Sequence, residues 1–419
     1  MGNCILALDG LSFDQHRSDF PILSRDLNGK KFCYLNSAAT SLKPLCVINS
    51  MNDFYQNWGV SAARGADRIS YQASQMYDEA RRKVANFIAA KSPRSIVFTR
   101  GTTSAINMIA RSLEECLIEQ GSEIIVSEQE HHANYIPWQQ LAIRKKAVLV
   151  IVKSQKNGEV DYDDLKSKLN ERSKIVCLSH QTNVMGALND VGRLSDIVHS
   201  NSKAYLLIDG AQGALHQRIN VSESDVDFYA FSAHKLFGPT GIGCFYAKEH
   251  LLDKMPPVEM GGEMIETVSE FDTTFADIPS KFEAGTMMYA EAVGFKTALD
   301  YVDRLGFERM QEKISSITEY ALERLIKLNN VEIYNQETAI SSGIITFNIK
   351  NTHPHDAASV YDGEGIALRA GHHCAQRVMA WLGQKSTLRA SFSIYNTEDD
   401  ADRFVECSKK AGDYIDILF

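Results

Sequence analysis

Seven short apolar runs between residues 95 and 247 constrain the fold of this chain more than any other feature. They are rich in β-branched residues, and longer amphipathic segments separate them. Near-continuous apolar strands at helix-length intervals predict a mostly parallel sheet with helices on both faces. The predicted strands are 95–99, 123–127, 147–152, 174–179, 204–208, 227–231 and 242–247. Such sheets bind ligands beyond the carboxyl ends of their strands.

The pattern changes after about residue 300, where we expect a smaller α+β domain. A long amphipathic helix is predicted over 307–327, strands near 343–349, 365–369 and 388–395, and a polar-faced helix after them. The 419 residues suffice for two lobes around a large buried centre. The predicted division is an N-terminal segment packing with the small domain (1–29), a large domain (30–299) and a small domain (300–419).

Composition excludes several classes of protein. The net charge of −9 and the pI near 5.8 argue against a nucleic-acid binder. The longest apolar run, 147–152, is far shorter than the ~18 residues of a membrane-spanning helix, so no membrane partner is expected. The eight cysteines are scattered without metal-type pairs, which is typical of reduced thiols in the cytoplasm.

Two polar residues follow adjacent predicted strands and indicate a cofactor. Asp209 ends one strand, and Lys235 comes shortly after the next. A lysine can hold pyridoxal phosphate as a Schiff base, and a carboxylate can keep the pyridinium nitrogen protonated. Gln212 is placed to donate to the phenolic oxygen of the same group. The alternatives are a solvated surface lysine and an Asp-Gly turn cap.

Further strand ends add polar groups to the same edge. Thr102 and Thr103 open a helix directly after a strand, and with its amides they form a cradle for an anion such as a phosphate. His131 follows the next strand and is expected over the face of the cofactor ring; the alternative is a residue that starts a helix.

Cys374 indicates that the reaction at this cofactor site involves sulfur. It lies in a Gly-His-His-Cys turn near Arg369, an electropositive setting that favours the reactive thiolate. One alternative is a buried structural cysteine. Another is a zinc site with His372 and His373, but their spacing does not match known zinc sets, so no metal is expected. Arg389 follows a short strand, and its guanidinium is suited to hold a substrate carboxylate through two hydrogen bonds. The alternative is a salt bridge at the surface.

Read together, these residues resemble the SufS-type (group II) cysteine desulfurases of the class V aminotransferase family, which are fold type I pyridoxal phosphate enzymes. The likeness runs from YLNSAAT (34–40) to SIYNT (393–397). Its most specific motifs are EHHAN (130–134), FSAHKLFGPTG (231–241), FEAGT (282–286) and RAGHHCAQ (369–376). The last motif separates this group from the one with a longer cysteine loop.

The resemblance implies a role for each matching position. Around the cofactor ring, Lys235 would carry it, Asp209 would pair with its nitrogen, His131 would stack on it, and Gln212 and Asn183 would hold the phenolic oxygen and the substrate. The implied phosphate ligands are Thr103, Ser232 and His234, with Thr286 from the other subunit of a homodimer. Arg389 would hold the carboxylate of L-cysteine, with Arg369 nearby, and Cys374 would be the nucleophile.

The implied reaction converts L-cysteine to L-alanine and leaves a persulfide on Cys374. A small SufU- or SufE-like sulfur acceptor and the SUF pathway of iron–sulfur cluster assembly are the expected destinations. Ala370 and Gln376 look more like the forms that work with a zinc-containing SufU-type acceptor. His353 or His355 is hypothesised to engage the metal of that acceptor; the alternative is a solvated turn.

Two departures from the family pattern and three rival functions remain open from the sequence alone. Ala63 and Asp67 stand where the family usually has histidines, and Met287 stands where it usually has proline. Selenocysteine lyase is one rival activity, and a carbon–carbon lyase such as a kynureninase, which needs no cysteine nucleophile, is another. A cofactor-binding scaffold within a sulfur-transfer complex is the non-enzymatic rival.

Overall fold

The central element is a seven-stranded sheet that closely follows the prediction. The computed structural model describes residues 13–27, 29–62 and 65–412. Gly243–Ala247 runs opposite to the other six strands of this sheet, which are parallel to one another. The strands, in spatial order, are Ile96–Thr99, Gly243–Ala247, Phe228–Ser232, Tyr205–Asp209, Ser173–Ser179, Glu123–Ser127 and Val148–Val152.

Helices cover both faces of this sheet, which explains why its strands are apolar throughout. Successive residues of a strand point to opposite faces. Ile96 and Phe98 accordingly pack into one apolar cluster and Val97 into the other. On the first side lie Arg68–Phe87, Val191–Asn201 and Tyr289–Leu305, and on the second lie Thr102–Cys116 and Ile136–Lys145. The predicted α/β fold is confirmed.

The C-terminal part forms a four-stranded antiparallel sheet. Its strands, in spatial order, are Val331–Ile333, Ile344–Ile349, Thr387–Ser391 and Arg369–Gly371. The helices of this part are Phe307–Leu325, Gln336–Ser342, Pro354–Gly363, Gln376–Trp381 and Glu398–Lys410. The division into domains at residues 30 and 300 stays a prediction.

Two predicted strands differ from the observed ones. The strand expected at 388–395 ends at Ser391, because the chain turns where the Ser393 amide donates to Asn396 Oδ1 (2.8 Å). The strand expected at 365–369 is two strands in different sheets. Ile366–Ala367 pairs with Cys33–Tyr34, whereas Arg369–Gly371 pairs with Thr387–Ser391. This switch brings the chain before Cys374 to the edge of the C-terminal sheet.

The remaining elements are short connections, apart from one further helix. Leu45–Asn57 packs against Tyr289–Leu305. The other helical segments are Phe13–His16, Arg17–Asp19, Pro21–Ser24, Pro93–Ser95, His132–Asn134, Tyr162–Lys168, Gly213–His216, Ala233–Lys235, Glu249–Lys254 and Ser280–Phe282. The other strands are Asp26–Leu27, Lys30–Lys31, Ile265–Val268 and Thr273–Phe275. In the described ranges, no helix combines the length and apolar character needed to cross a membrane.

A buried ion pair fixes the FEAGT segment against the edge of the large sheet. Arg81 donates to both carboxylate oxygens of Glu283 (2.7 and 2.8 Å). The same carboxylate accepts from the Phe98 amide (2.7 Å) and from the Tyr77 hydroxyl (3.0 Å). Because Phe98 lies in the strand that leads into Thr102, this pair also steadies the predicted anion cradle.

Candidate active site

One cavity at the carboxyl ends of the strands gathers nearly all the predicted site residues. The predicted residues that line it are Thr102, Thr103, His131, Asn183, Asp209, Gln212, Ser232, His234, Lys235, Arg369 and Arg389. Thr286 does not line it and is exposed to solvent. Cys374 lies beside the cavity, in a groove that shares Thr103 and His131 with it. The individual roles of these residues stay predictions.

Asp209 and Lys235 have the electrostatics expected of a site for a cationic ring. Asp209 is the last residue of its strand, is 5% exposed, and accepts the Ala211 amide at Oδ1 (2.9 Å). Burial raises its pKa, while the Lys235 charge acts in the opposite direction. Burial lowers the pKa of Lys235 to about 8, with Asp209 opposing and Arg389 assisting. A protonated pyridinium nitrogen would supply the cation that this buried carboxylate requires.

Two buried amide oxygens near Lys235 face the cavity without a donor. Within the described ranges, Asn183 Oδ1 and Gln181 Oε1 have no hydrogen-bond partner. Gln212 donates through Nε2 to the Ala38 carbonyl (2.7 Å). Buried polar atoms normally find partners, so the free oxygens of Asn183 and Gln181 indicate room for a polar ligand. The lining of the cavity therefore offers polar partners of the kind that bound pyridoxal phosphate would need.

Thr102 and Thr103, predicted to cradle an anion, begin a helix and line the cavity, and the Thr102 amide already has an acceptor. Gly101 precedes the helix Thr102–Cys116 with a φ of 145°. The Thr102 amide donates to Ser232 Oγ (2.7 Å), and the two side-chain hydroxyls also hydrogen bond (2.7 Å). The other amides of a first helical turn have no acceptor inside the helix. Thr103 and the following residue are therefore the donors left for a phosphate.

His131 is neutral and fixed in orientation. The Ala133 amide donates to its Nδ1 (3.0 Å), so the proton of the neutral ring is on Nε2. Burial lowers its pKa to about 3, and the charge of Lys235 lowers it further. An uncharged imidazole can stack on a flat ring, as the sequence predicts.

Arg389 is a buried cation that forms no salt bridge with any described residue. It is 1% exposed, and its Nη1 donates to the Asn183 carbonyl (2.8 Å). Its Nε and Nη2 have no acceptor among the described residues. Burial, together with the charge of Arg369, lowers its pKa to about 9. A guanidinium with two free donors on a cavity wall is a site for a carboxylate.

Cys374 is held in a strained loop next to a second cation, Arg369. Arg369 donates through Nη2 to Cys374 Sγ (3.3 Å). His373 and Cys374 both have left-handed backbones, with φ of 53° and 55°. His373 Nε2 bonds with Thr387 Oγ1 (2.9 Å), and no group of three His, Cys, Asp or Glu residues suited to a metal occurs in the described ranges.

Sequence reasoning missed a buried carboxylate beneath the site. Glu130 accepts from the Ser127 and Ser179 hydroxyls (2.6 Å each) and from Asn134 Nδ2 (2.7 Å). Burial raises its pKa to about 7, although these donors oppose the shift. Glu130 stands in the EHHAN motif, but only the structure connects it to the neighbouring strand. His373 was also missed as a cavity-lining residue, although it stands in the RAGHHCAQ motif.

The departures from the family pattern have local structural explanations within the described residues. Asp67 caps the helix Arg68–Phe87, and its Oδ1 accepts from the amides of Ile69 (2.9 Å) and Ser70 (3.0 Å). Met287 is half-buried against the main apolar cluster. Ala63 lies outside the described residues.

The fold and this cavity together are those of a fold type I pyridoxal phosphate enzyme. The class-V aminotransferase family matches residues 33–404, and the chain belongs to that family. It is 45% identical to a probable cysteine desulfurase of Staphylococcus epidermidis over 401 residues, covering 96% of this chain and 97% of the relative. A probable cysteine desulfurase of Staphylococcus aureus is 44% identical over 410 residues, covering 97% and 99%.

Solved structures agree with these relatives. The cysteine desulfurase CsdA of Escherichia coli, in an S-sulfonic acid form, superposes with a TM-score of 0.89 at 36% identity, covering 96% of this chain and 99% of that one. The apo cysteine desulfurase of Thermococcus onnurineus superposes with a TM-score of 0.89 at 33% identity, covering 95% and 97%. The predicted class V aminotransferase family, the fold type I architecture and the pyridoxal phosphate cofactor are confirmed.

Proposed function

We propose that this protein is a cysteine desulfurase that converts L-cysteine to L-alanine and retains the sulfur as a persulfide on Cys374. The observation that carries the proposal is the unpaired Arg389 guanidinium in the same cavity as Lys235, with Cys374 beside it. The relatives named above support the same reaction. Bound pyridoxal phosphate supplies an electron sink for bonds broken at the α and β carbons of the substrate.

The residues of the cavity bind and orient the substrate. Arg389 Nε and Nη2 receive the substrate carboxylate, which satisfies two buried donors at once. Asn183 Oδ1 accepts a hydrogen bond from the substrate or from the cofactor. Lys235 Nζ removes the Cα proton, since its lowered pKa of about 8 makes the free amine accessible near neutral pH.

Cys374 carries out the sulfur step. Its thiolate attacks the sulfur of L-cysteine, so that a sulfur–sulfur bond forms and the carbon–sulfur bond of the substrate breaks. The electron pair of the broken bond stays with the carbon fragment, which takes up protons and leaves as L-alanine. Arg369 Nη2 lies 3.3 Å from Cys374 Sγ and stabilises the negative charge of the attacking sulfur.

The first test measures alanine released by the cofactor-loaded protein from L-cysteine, with and without a thiol reductant. We expect a burst of about one alanine per active site without reductant, because Cys374 then stays blocked, and continued turnover with it. A cofactor-loaded protein that releases no alanine under either condition would contradict the proposal and favour the scaffold. Release from selenocysteine alone would favour selenocysteine lyase.

We further propose that this protein is a group II enzyme of the SUF pathway and that it delivers sulfur to a zinc-containing, SufU-type acceptor. His353 and His355 are both exposed, and His355 Nε2 would lie 3.8 Å from a Cβ at Gly371, beside the cysteine loop. The segment leads into the helix Pro354–Gly363, with His355 in its first turn. His353 caps the helix Pro354–Gly363, and its Nδ1 accepts from the His355 amide (3.3 Å).

Replacement of His355 by alanine tests this docking site. We expect loss of most of the turnover stimulated by a zinc-containing acceptor, because His355 would no longer reach the metal, while the alanine burst without acceptor is retained. His250→Ala, an exposed histidine on Glu249–Lys254, is the matched control. Unchanged stimulated turnover in His355→Ala would remove this residue from the docking site.

A homodimer is proposed on two supporting observations. Thr286 is exposed at the surface, where it is free to reach a second copy. Large apolar side chains are also exposed nearby in the chain: Phe271 (92%) and Val268 (65%) lie in the hairpin Ile265–Phe275. Exposed apolar side chains grouped on one hairpin are typical of protein interfaces.

A further inference from the structure

The loop that carries Cys374 has a backbone that needs external support. His373 and Cys374 are consecutive non-glycine residues with positive φ (53° and 55°). A left-handed backbone is sterically unfavourable for any residue that carries a Cβ. A strained loop of this kind persists only where its surroundings hold it. The contacts made by the neighbouring elements therefore determine where Cys374 Sγ lies.

One residue outside the loop, His132, bonds to it at Cys374 and again two residues further along the chain. The His132 amide donates to the Cys374 carbonyl (2.7 Å). The imidazole of His132 accepts, through Nε2, from the Gln376 amide (3.1 Å). Gln376 begins the helix Gln376–Trp381, so this imidazole satisfies a donor that the helix itself leaves free.

The bond from Gln376 requires a neutral imidazole, since a protonated ring has no acceptor. Burial lowers the pKa of His132, and the neighbouring His372 lowers it further. The ring is therefore in the form that accepts at Nε2 and carries its proton at Nδ1. Protonation of the ring at Nε2 would remove the acceptor of this hydrogen bond.

His132 also connects the loop to the other side of the cavity. It follows His131 directly, and the segment His132–Asn134 is one short helical turn. Other contacts hold the loop from the opposite side: Asn183 Nδ2 donates to the His373 carbonyl (2.7 Å), and Arg369 reaches Cys374 Sγ. Asn183 and Arg369 line the cavity, whereas the side chain of His132 does not.

We propose that His132 is a positioning residue that clamps the cysteine loop against the His131 turn, so that Cys374 Sγ is held where the substrate sulfur arrives. This inference rests on the proposed desulfurase function and deepens it. The clamp acts through its bond to the Gln376 amide rather than through any contact with substrate. Substrate affinity, which depends on Arg389, is set elsewhere.

The kinetic test compares His132→Leu, which removes the acceptor, with His132→Gln, whose Oε1 reaches a similar distance from the backbone. The rate constant of the alanine burst is measured over a range of L-cysteine concentrations. We expect His132→Leu to lower the maximal rate about tenfold or more, since small displacements of a reacting group cost that much. The half-saturating concentration should not change, and His132→Gln should restore most of the rate.

A second readout needs no turnover. Deuterium uptake by the peptide that spans residues 372–376 reports whether the Gln376 amide is hydrogen-bonded. It should become faster in His132→Leu and return towards the parent rate in His132→Gln. His372→Leu, an exposed histidine on the same loop whose nearest polar contact is the Gln376 side chain (3.5 Å), is the matched control and should leave the uptake of Gln376 slow.

The outcomes separate the clamp from the proposed activity. Unchanged burst rate and unchanged uptake in His132→Leu would overturn the clamp, as would a His132→Gln variant as slow as His132→Leu. A parent enzyme that makes no alanine would overturn the activity, while the uptake measurement would still decide the clamp. His132→Ala, which removes the ring without adding bulk, carries the same prediction if His132→Leu does not fold.

Discussion

Replacement of Cys374 by alanine is expected to abolish alanine release from L-cysteine. Without the thiolate there is no acceptor for the substrate sulfur, and neither water nor a reductant can occupy its position in the loop. We expect the rate to fall at least about a thousandfold, as for other enzymes that lose a nucleophile. The fold should be retained, because Cys374 is only half-buried and its strained backbone suits a smaller side chain no worse.

Matched variants make this loss specific to Cys374. Cys116→Ala removes an exposed cysteine at the end of Thr102–Cys116, away from the cavity, and should keep the activity of the parent. Cys374→Ser keeps the size and polarity of the side chain and should be as inactive as Cys374→Ala, because the hydroxyl is not ionised. Alanine release by Cys374→Ala at the rate of the parent would contradict the persulfide account and favour a lyase.

Replacement of Arg389 by methionine is expected to raise the KM for L-cysteine about 30-fold to 4000-fold, corresponding to the 2–5 kcal/mol of a buried charge pair. Its free Nε and Nη2 are the buried donors available for the substrate carboxylate in the described cavity. The free energy of unfolding should stay equal or increase, because an unpaired guanidinium is removed from the interior. Substrate titrations and urea unfolding measure the two effects.

A higher KM together with an equal or higher free energy of unfolding would show that Arg389 binds substrate and that its replacement does not damage the fold. Arg100→Met removes an exposed arginine at the start of the anion cradle and should leave KM unchanged. A marked loss of stability in Arg389→Met would show that Arg389 has a structural role. In that case the carboxylate would have to bind at Arg369 instead.

The sheet and the cofactor site could be predicted because their signals are local. Strands buried on both faces must be apolar along their whole length, which marks Tyr205–Asp209 and Phe228–Ser232 in the sequence. The polar residues that follow such strands must meet at one edge. The sequence alone therefore suffices to place Asp209 and Lys235 together.

The contacts that hold the cysteine loop could not be predicted in this way. His132 and Gln376 are 244 positions apart, and Glu130 reaches a serine on another strand. No periodicity records such pairs, because they arise only when separate elements pack. The strand expected at 388–395 was overextended for a related reason, since its apolar pattern continues past the turn that Asn396 forms.

Two missed helix boundaries did carry a local signal. Pro354 at the first position of Pro354–Gly363, preceded by a residue that caps through its side chain, is a usual helix start. The same holds for Asp67 before Arg68–Phe87. In both places the capping chemistry predicts the helix start without any comparison with the family.

The most direct test of the account is the mass of the Cys374 peptide after the cofactor-loaded protein has met L-cysteine without a reductant. The account predicts one added sulfur atom on Cys374 for each alanine released, with the added mass removed by a thiol reductant. Alanine that accumulates while the Cys374 peptide keeps its original mass, with the sulfur recovered as free sulfide, would contradict it.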